Sequence, residues 1–228
     1  MTKAPYNPLD KLSLAKSIEF EILLRPPMKL GEVPEIKGAG IYVIYYNGAF
    51  PSYQPIVLSP DHPTQPIYVG KAIPKGGRKG GLTKDSAKGT ALRDRLRQHA
   101  SSIKETSNLE IDAFSFRHLV VEDIWIPLGE NALIESFKPV WNGALDGFGN
   151  KDPGKRRSKQ FKSPWDVLHP GRAFTVKLAE SPVEAPFLEE RLADFFEGRP
   201  LKPLPKKLAK QIEEQEREAE EEADNIEL

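Results

Sequence analysis

The sequence predicts an α/β protein of the α+β kind, with a small central β-sheet flanked by helices. Three observations carry that expectation. Ile41-Tyr42-Val43-Ile44-Tyr45-Tyr46 is apolar at every position, as a strand covered on both faces should be. Residues 91–106 and 183–196 repeat apolar side chains at helical spacing. Strand, strand, helix, strand, helix is then the order along the middle of the chain, which a sheet layered with helices accommodates.

The elements follow in order. Leu12, Leu14, Ala15, Ile18, Ile22 and Leu23 form a helical stripe over residues 9–25, stopped by Pro26-Pro27. After the 41–46 strand, residues 47–65 contain Gly48, Pro51, Pro55, Ser59, Pro60 and Pro63 and read as a long irregular insertion. Ile67–Val69 is a short buried strand. Residues 73–89 form a Gly- and Lys-rich loop suited to a polyanion. A helix over 91–106 sets Leu92, Leu96 and Ile103 in register, and residues 114–121 read as a third strand. Glu130 to Phe137 forms a helix broken at Pro139. Residues 143–173 are irregular and basic, and a helix over 183–196 ends near Gly198-Arg199-Pro200. Residues 206–224 are mostly Lys, Glu, Gln and Ala. The expected organisation is an N-terminal helical extension (1–37), a core (38–142, with the 47–65 insertion), a largely irregular basic segment (143–200), and an acidic tail (201–228), solvated helix or disordered.

Composition narrows the function. With 228 residues the chain can bury a real core, and it has no apolar run long enough to span a membrane nor an apolar leader after Met1. The absence of cysteine excludes disulfides, thiolate catalysis and Cys-based zinc sites, and fits a reducing cytosol. A net charge of zero conceals a division. Residues 201–228 hold 5 basic and 9 acidic side chains, whereas residues 70–110 hold 10 basic against 4 acidic. Lys151, Lys155, Arg156, Arg157, Lys159 and Lys162 stand against Asp152 alone. Clustered positive charge of this kind attracts a phosphate backbone.

Several residues then carry chemistry. Tyr42 shares a strand face with Ile44 and Tyr46, and Tyr68 precedes Gly70 by two, where a missing side chain admits a close neighbour. Either tyrosine alone is an ordinary core aromatic. Arg95 and His99 are four apart and project from one helix face, with His99 on the apolar stripe. Glu130 falls on the face of Leu133, Ile134 and Phe137, with Glu135 opposite. A carboxylate turned to that face needs a cation, a metal or a donor. A first-turn acid complementing the helix dipole would explain its position but not its facing. A rival metal pattern, Asp10 with Glu35-Ile36-Lys37, sits at a helix start and in a Pro/Gly-rich approach to a strand. His62, His118 and His169 show no metal spacing.

Together, Gly40-Ile41-Tyr42, Tyr68-Val69-Gly70-Lys71-Ala72, Arg95 with His99, Glu130 with Leu133-Ile134, and Lys138-Pro139 with Trp141-Asn142 resemble the GIY-YIG nuclease superfamily. Further runs are similar to the Type II restriction endonucleases of that superfamily that cut CCGCGG. They are Thr106-Ser107-Asn108-Leu109, Asp146-Gly147-Phe148-Gly149-Asn150 and Trp165-Asp166-Val167-Leu168-His169-Pro170-Gly171-Arg172. Val69 departs conservatively from the signature isoleucine, the 47–65 insertion separates the two tripeptides, and the acidic tail lies outside the likeness.

The resemblance implies a GIY-YIG catalytic core over 38–142 with inserted loops and terminal helices, a DNA-contacting and dimer-supporting role for 143–200, and a specific mechanism. Tyr42 would be the general base, with His99 as its hydrogen-bond partner and proton acceptor. Glu130 would hold one Mg²⁺ per active site, with Mn²⁺ as a substitute. Arg95 and Tyr68 would hold the phosphate, and Asn142 would orient water on the metal or the phosphate. Lys71, Arg78, Lys79, Lys84, Arg156 and Arg157 are the expected DNA-binding residues. A palindromic site implies a homodimer on double-stranded DNA, and a restriction enzyme implies a cognate DNA methyltransferase as functional partner, in a prokaryotic cytoplasm. The alternatives are a repair or homing endonuclease of the same superfamily, and a catalytically dead DNA-binding module.

Overall fold

A computed structural model describes residues 10–57, 64–73, 89–152 and 160–225. Its sheet has four strands: β1 (Met28–Lys29), β2 (Gly40–Tyr46), β3 (Tyr68–Ala72) and β4 (Phe114–Val120). They run in the order β1-β4-β2-β3, all antiparallel, with β3 at one end. The mixed architecture of a small sheet flanked by helices is the one the sequence predicts. The two-residue β1, directly after Pro26-Pro27, is too short to show a period.

β2 explains why the sheet is covered twice. Tyr42, Ile44 and Tyr46 enter one core, while Ile41, Val43 and Tyr45 enter another. Every residue of β2 is buried. The second core lies under α1 (Lys11–Leu23) and α3 (Ile126–Phe137). The first, larger core lies under α2 (Ala91–Lys104) and takes in α4 (Val140–Gly143), α5 (Pro164–Leu168) and α6 (Ala185–Phe196).

Four expectations are corrected. The helix carrying Glu130 begins at Ile126, not at Glu130. Pro127 and Gly129 have low helix propensity, but proline fits the first helical turn, where its missing N–H is no loss. Gly129 is packed so tightly that a Cβ would stand 3.0 Å from Ile41 Cδ1. Glu130 is therefore outside the first turn, and the dipole account of it lapses. The helix ends at Lys138, which adopts φ 45°, and Pro139 starts the separate α4. Second, the insertion is not wholly irregular: residues 51–56 form a 3₁₀ helix that buries Tyr53 completely. Third, Leu12 faces solvent and leaves the α1 stripe. Fourth, the tail helix α7 (Lys206–Asn225) docks at its start, with Leu208 buried and Gln211 hydrogen-bonded to both backbone groups of Phe161.

The insertion is held by a buried network. Tyr53 Oη lies 2.5 Å from His169 Nε2 and accepts from Trp141 Nε1 at 2.8 Å, while His169 Nδ1 lies 3.0 Å from Asn108 Oδ1. This ties residues 51–56, α4, and the segment after α5 around one aromatic wall. No described helix is long and apolar enough to cross a membrane.

Candidate active site

Tyr42 sits in mid-sheet, paired in register with Gly70 on β3. A Cβ at Gly70 would come within 2.4 Å of Tyr42 Oη, so the glycine clears the path of the phenol. Gly40 has a different task. With φ +154°, it admits the β4 backbone so closely that a Cβ would meet the Leu119 carbonyl oxygen at 2.1 Å. The two glycines of the paired tripeptides thus answer two separate steric demands.

Across the space above β2, Tyr42 Oη lies 2.6 Å from His99 Nε2 on α2, and both side chains are buried. Burial pushes the Tyr42 phenol well above its ordinary pKa; Tyr68 adds to this, and the Arg95 charge opposes it. Burial likewise drives the His99 imidazole well below its ordinary value, with help from the charges of Arg95 and Arg172. At neutral pH both groups are therefore uncharged, and the phenol O–H can donate to Nε2.

Tyr68 lies on the same face of β3, half-buried, its ring 6.3 Å from that of Tyr42 and 5.3 Å from that of His99. Burial raises its pKa too, with Arg95 opposing. Arg95, partly buried on α2, donates to Gln98 Oε1 at 2.7 Å and to the Gly149 carbonyl at 3.1 Å. The cluster thus holds two phenols, an imidazole and a guanidinium.

Glu130 approaches from the other side. Lys71 alternates with Gly70 along β3 and points to the α3 layer, where its Nζ meets Glu130 Oε2 at 2.7 Å. The Glu130 side chain is 14% exposed, and its charge raises the pKa of both Tyr42 and Tyr68. Because β3 ends the sheet, groups from both faces gather around its rim. Glu135, on the outer face of α3, is exposed.

Asn142 occupies neither face. Its Oδ1 accepts from the Val69 N–H at 2.8 Å and its Nδ2 donates to the Val69 carbonyl at 2.9 Å. The amide thereby extends the edge of β3 like another strand residue and fastens α4 to it. That use competes with the metal or phosphate contact expected of Asn142.

Glu130 is the carboxylate whose field reaches the phenols, and among the described residues no three His, Cys, Asp or Glu gather into a metal cluster. One hard oxygen ligand on a solvent-accessible rim fits Mg²⁺, which keeps several waters and commonly takes one or two carboxylates with substrate phosphate. The rival Glu35 is committed elsewhere, to Arg93 at 2.7 Å and Arg97 at 3.0 Å.

Of the expected DNA contacts, Lys71 stands at the rim, while Arg78, Lys79, Lys84, Arg156 and Arg157 lie outside the described residues. Two participants have no role in the sequence reading. The Phe148 ring stacks on His99, centroids 4.4 Å apart and 18° from parallel, and Gly149 offers its carbonyl to Arg95. The Gly-Phe-Gly run was visible as a motif, but its contact with His99 crosses the chain.

Residues 34–196 match the family model described as the Eco29kI GIY-YIG domain. No curated protein matches the chain.

Proposed function

Because this chain belongs to the Eco29kI GIY-YIG family of restriction-type nucleases, we propose that it is a Type II restriction endonuclease. It hydrolyses both strands of a palindromic double-stranded DNA site in a Mg²⁺-dependent reaction, with Mn²⁺ as a substitute. The motif likeness favours CCGCGG as that site. A two-fold site calls for a homodimer, one cluster acting on each strand.

The observation that carries this reading is the buried Tyr42–His99 hydrogen bond set beside Tyr68, Arg95 and Glu130. Water attacks the phosphorus while Tyr42 Oη takes its proton. In the same step Tyr42 passes its own proton to His99 Nε2, so a tyrosinate, which burial disfavours, does not accumulate. The imidazolium, which burial also disfavours, exists only transiently and returns the proton through Tyr42 to water as product leaves. Arg95 and Tyr68 bind the non-bridging oxygens, where negative charge grows. The bond to the 3′ oxygen breaks and that oxygen takes a proton from solvent water, leaving a 5′-phosphate and a 3′-hydroxyl. Mg²⁺, when bound, supplies positive charge to the leaving 3′ oxygen. Glu130 is the residue that would hold it, and Lys71 Nζ stands 2.7 Å from the same carboxylate. Asn142 keeps β3 and α4 in register, a positioning task.

Incubating the purified chain with plasmid DNA and Mg²⁺ tests the reading. Discrete fragments with ends mapping to one palindrome are expected. Nicks confined to damaged or branched DNA would indicate repair instead, and binding without hydrolysis would indicate a dead nuclease.

A further inference from the structure

Beneath the cluster lies a buried ion pair that the mechanism above does not use. Arg172 is 1% exposed and Asp166 is 4% exposed. Arg172 Nε donates to Asp166 Oδ1 at 2.6 Å. Its two terminal nitrogens donate to three carbonyls of one turn: Nη1 to Phe148 and Asn150, both at 3.1 Å, and Nη2 to Gly147 at 2.9 Å. Asp166 is fixed in turn, because its Oδ2 accepts from Ser163 Oγ at 2.7 Å.

A buried ion pair is weak grounds for stability, since apolar side chains of like volume often serve as well. What an apolar pair could not do is gather three carbonyls of one turn, those of Gly147, Phe148 and Asn150, onto one planar fork. The turn is constrained from its start as well. Gly147 has φ +111°, and a Cβ there would stand 2.1 Å from Ser163 Oγ. From this fixed turn two contacts reach the active cluster, the Gly149 carbonyl on Arg95 and the Phe148 ring on His99.

We propose that the Arg172–Asp166 pair is a positioning device for catalysis. It sets the 147–150 turn so that Gly149 aims the Arg95 guanidinium and Phe148 fixes the plane of the His99 imidazole. This rests on the nuclease reading. Arg172 touches neither Tyr42 nor DNA in that scheme; it acts through the turn.

The test uses the full chain. Arg172→Lys keeps a cation beside Asp166 but loses the fork. Expected are a single-turnover cleavage rate about tenfold lower or worse, DNA affinity within about twofold, and displaced His99 ring resonances in NMR spectra of the DNA-free protein. Phe148→Leu should reproduce much of this, and adding Arg172→Lys to it should cost less than Arg172→Lys alone, because both act through one turn. A folded Arg172→Lys protein with wild-type cleavage rate and unmoved His99 resonances overturns the proposal, as does full additivity of the two losses. If Arg172→Lys does not fold, Gly149→Ala reads the turn from its other end. The added methyl stands 3.1 Å from Arg95 Nη2 and Tyr68 Oη, and wild-type cleavage there is equally fatal. A wild-type chain that cuts no DNA, with His99 resonances still displaced in Arg172→Lys, sinks the nuclease reading and leaves the coupling of Arg172 to His99 standing.

Discussion

Tyr42 Oη and His99 Nε2 are 2.6 Å apart, both side chains buried, with the phenol and the imidazole both held neutral. Tyr42→Phe keeps the ring, its packing over Gly70 and the fold, but removes the proton relay. Cleavage should fall on the order of 10²–10³, the range typical of losing one organised polar group from an active site. DNA affinity should hold. Stability should drop by about 1 kcal/mol, since His99 loses its partner. Single-turnover cleavage, gel-shift titration and thermal unfolding of one preparation read all three; normal turnover would remove the phenol from the chemistry.

Two buried histidines make folding sensitive to acid. His99 lies well below its ordinary pKa, and His169, desolvated beside Tyr53, is pushed down to about 3. Both are therefore lower folded than unfolded. Below about 6.5 the unfolded chain binds protons that the folded chain refuses, so their contribution is complete above that pH and shrinks as pH falls towards the folded values. Each adds a slope of about 1.4 kcal/mol per pH unit. Urea unfolding between pH 7.5 and 5 should show it, and His169→Asn should flatten the slope by roughly half of that two-histidine sum.

The sequence was most legible where one side of an element speaks for itself. The all-apolar run at 41–46 marked a doubly covered strand, and the stripe on α2 set His99 inward, where it is found at 1% exposure. The facing of Glu130 was also readable, because Leu133 behind it is buried and Glu135 is exposed. Its partner was not. The Lys71 contact depends on β3 being an end strand, a property of strand order that no local spacing encodes. The start of α3 was hidden by Pro127 and Gly129, whose breaker character is reversed by the first turn and by packing on Ile41. Tyr53 and Arg172 were hidden for another reason: their partners lie across the insertion and the C-terminal segment, at separations of 116 and 24 residues.

Glu130 and Glu135 sit on one helix with opposite fates, which makes a controlled pair. Glu130→Ala should abolish Mg²⁺-dependent cleavage while leaving DNA affinity, measured in Ca²⁺, nearly intact. It strands the Lys71 ammonium, though Lys71 is 32% exposed and can turn to water. Glu135→Ala should cut at close to the wild-type rate, with stability within about 0.5 kcal/mol, as expected of an exposed helix position. A dead Glu135→Ala enzyme would place the metal on the wrong face of α3.

Asn142 separates a metal ligand from a clamp. Both polar atoms of its amide are joined to the Val69 backbone, at 2.8 and 2.9 Å. Asn142→Asp keeps the volume and the acceptor for the Val69 N–H but sets a carboxylate oxygen against the Val69 carbonyl. A ligand's replacement by Asp should hold or tighten the metal, lowering the Mg²⁺ concentration for half-maximal cleavage. A clamp's replacement should instead lower stability by about 1–3 kcal/mol, the cost of an orphaned, partly buried carbonyl facing a like charge. It should leave the Mg²⁺ midpoint in place while the rate falls as β3 shifts. Asn142→Ala should lose stability in the same way. Thermal unfolding beside a Mg²⁺ titration distinguishes the two outcomes, and a stable Asn142→Asp enzyme with a lowered Mg²⁺ midpoint would return Asn142 to the metal.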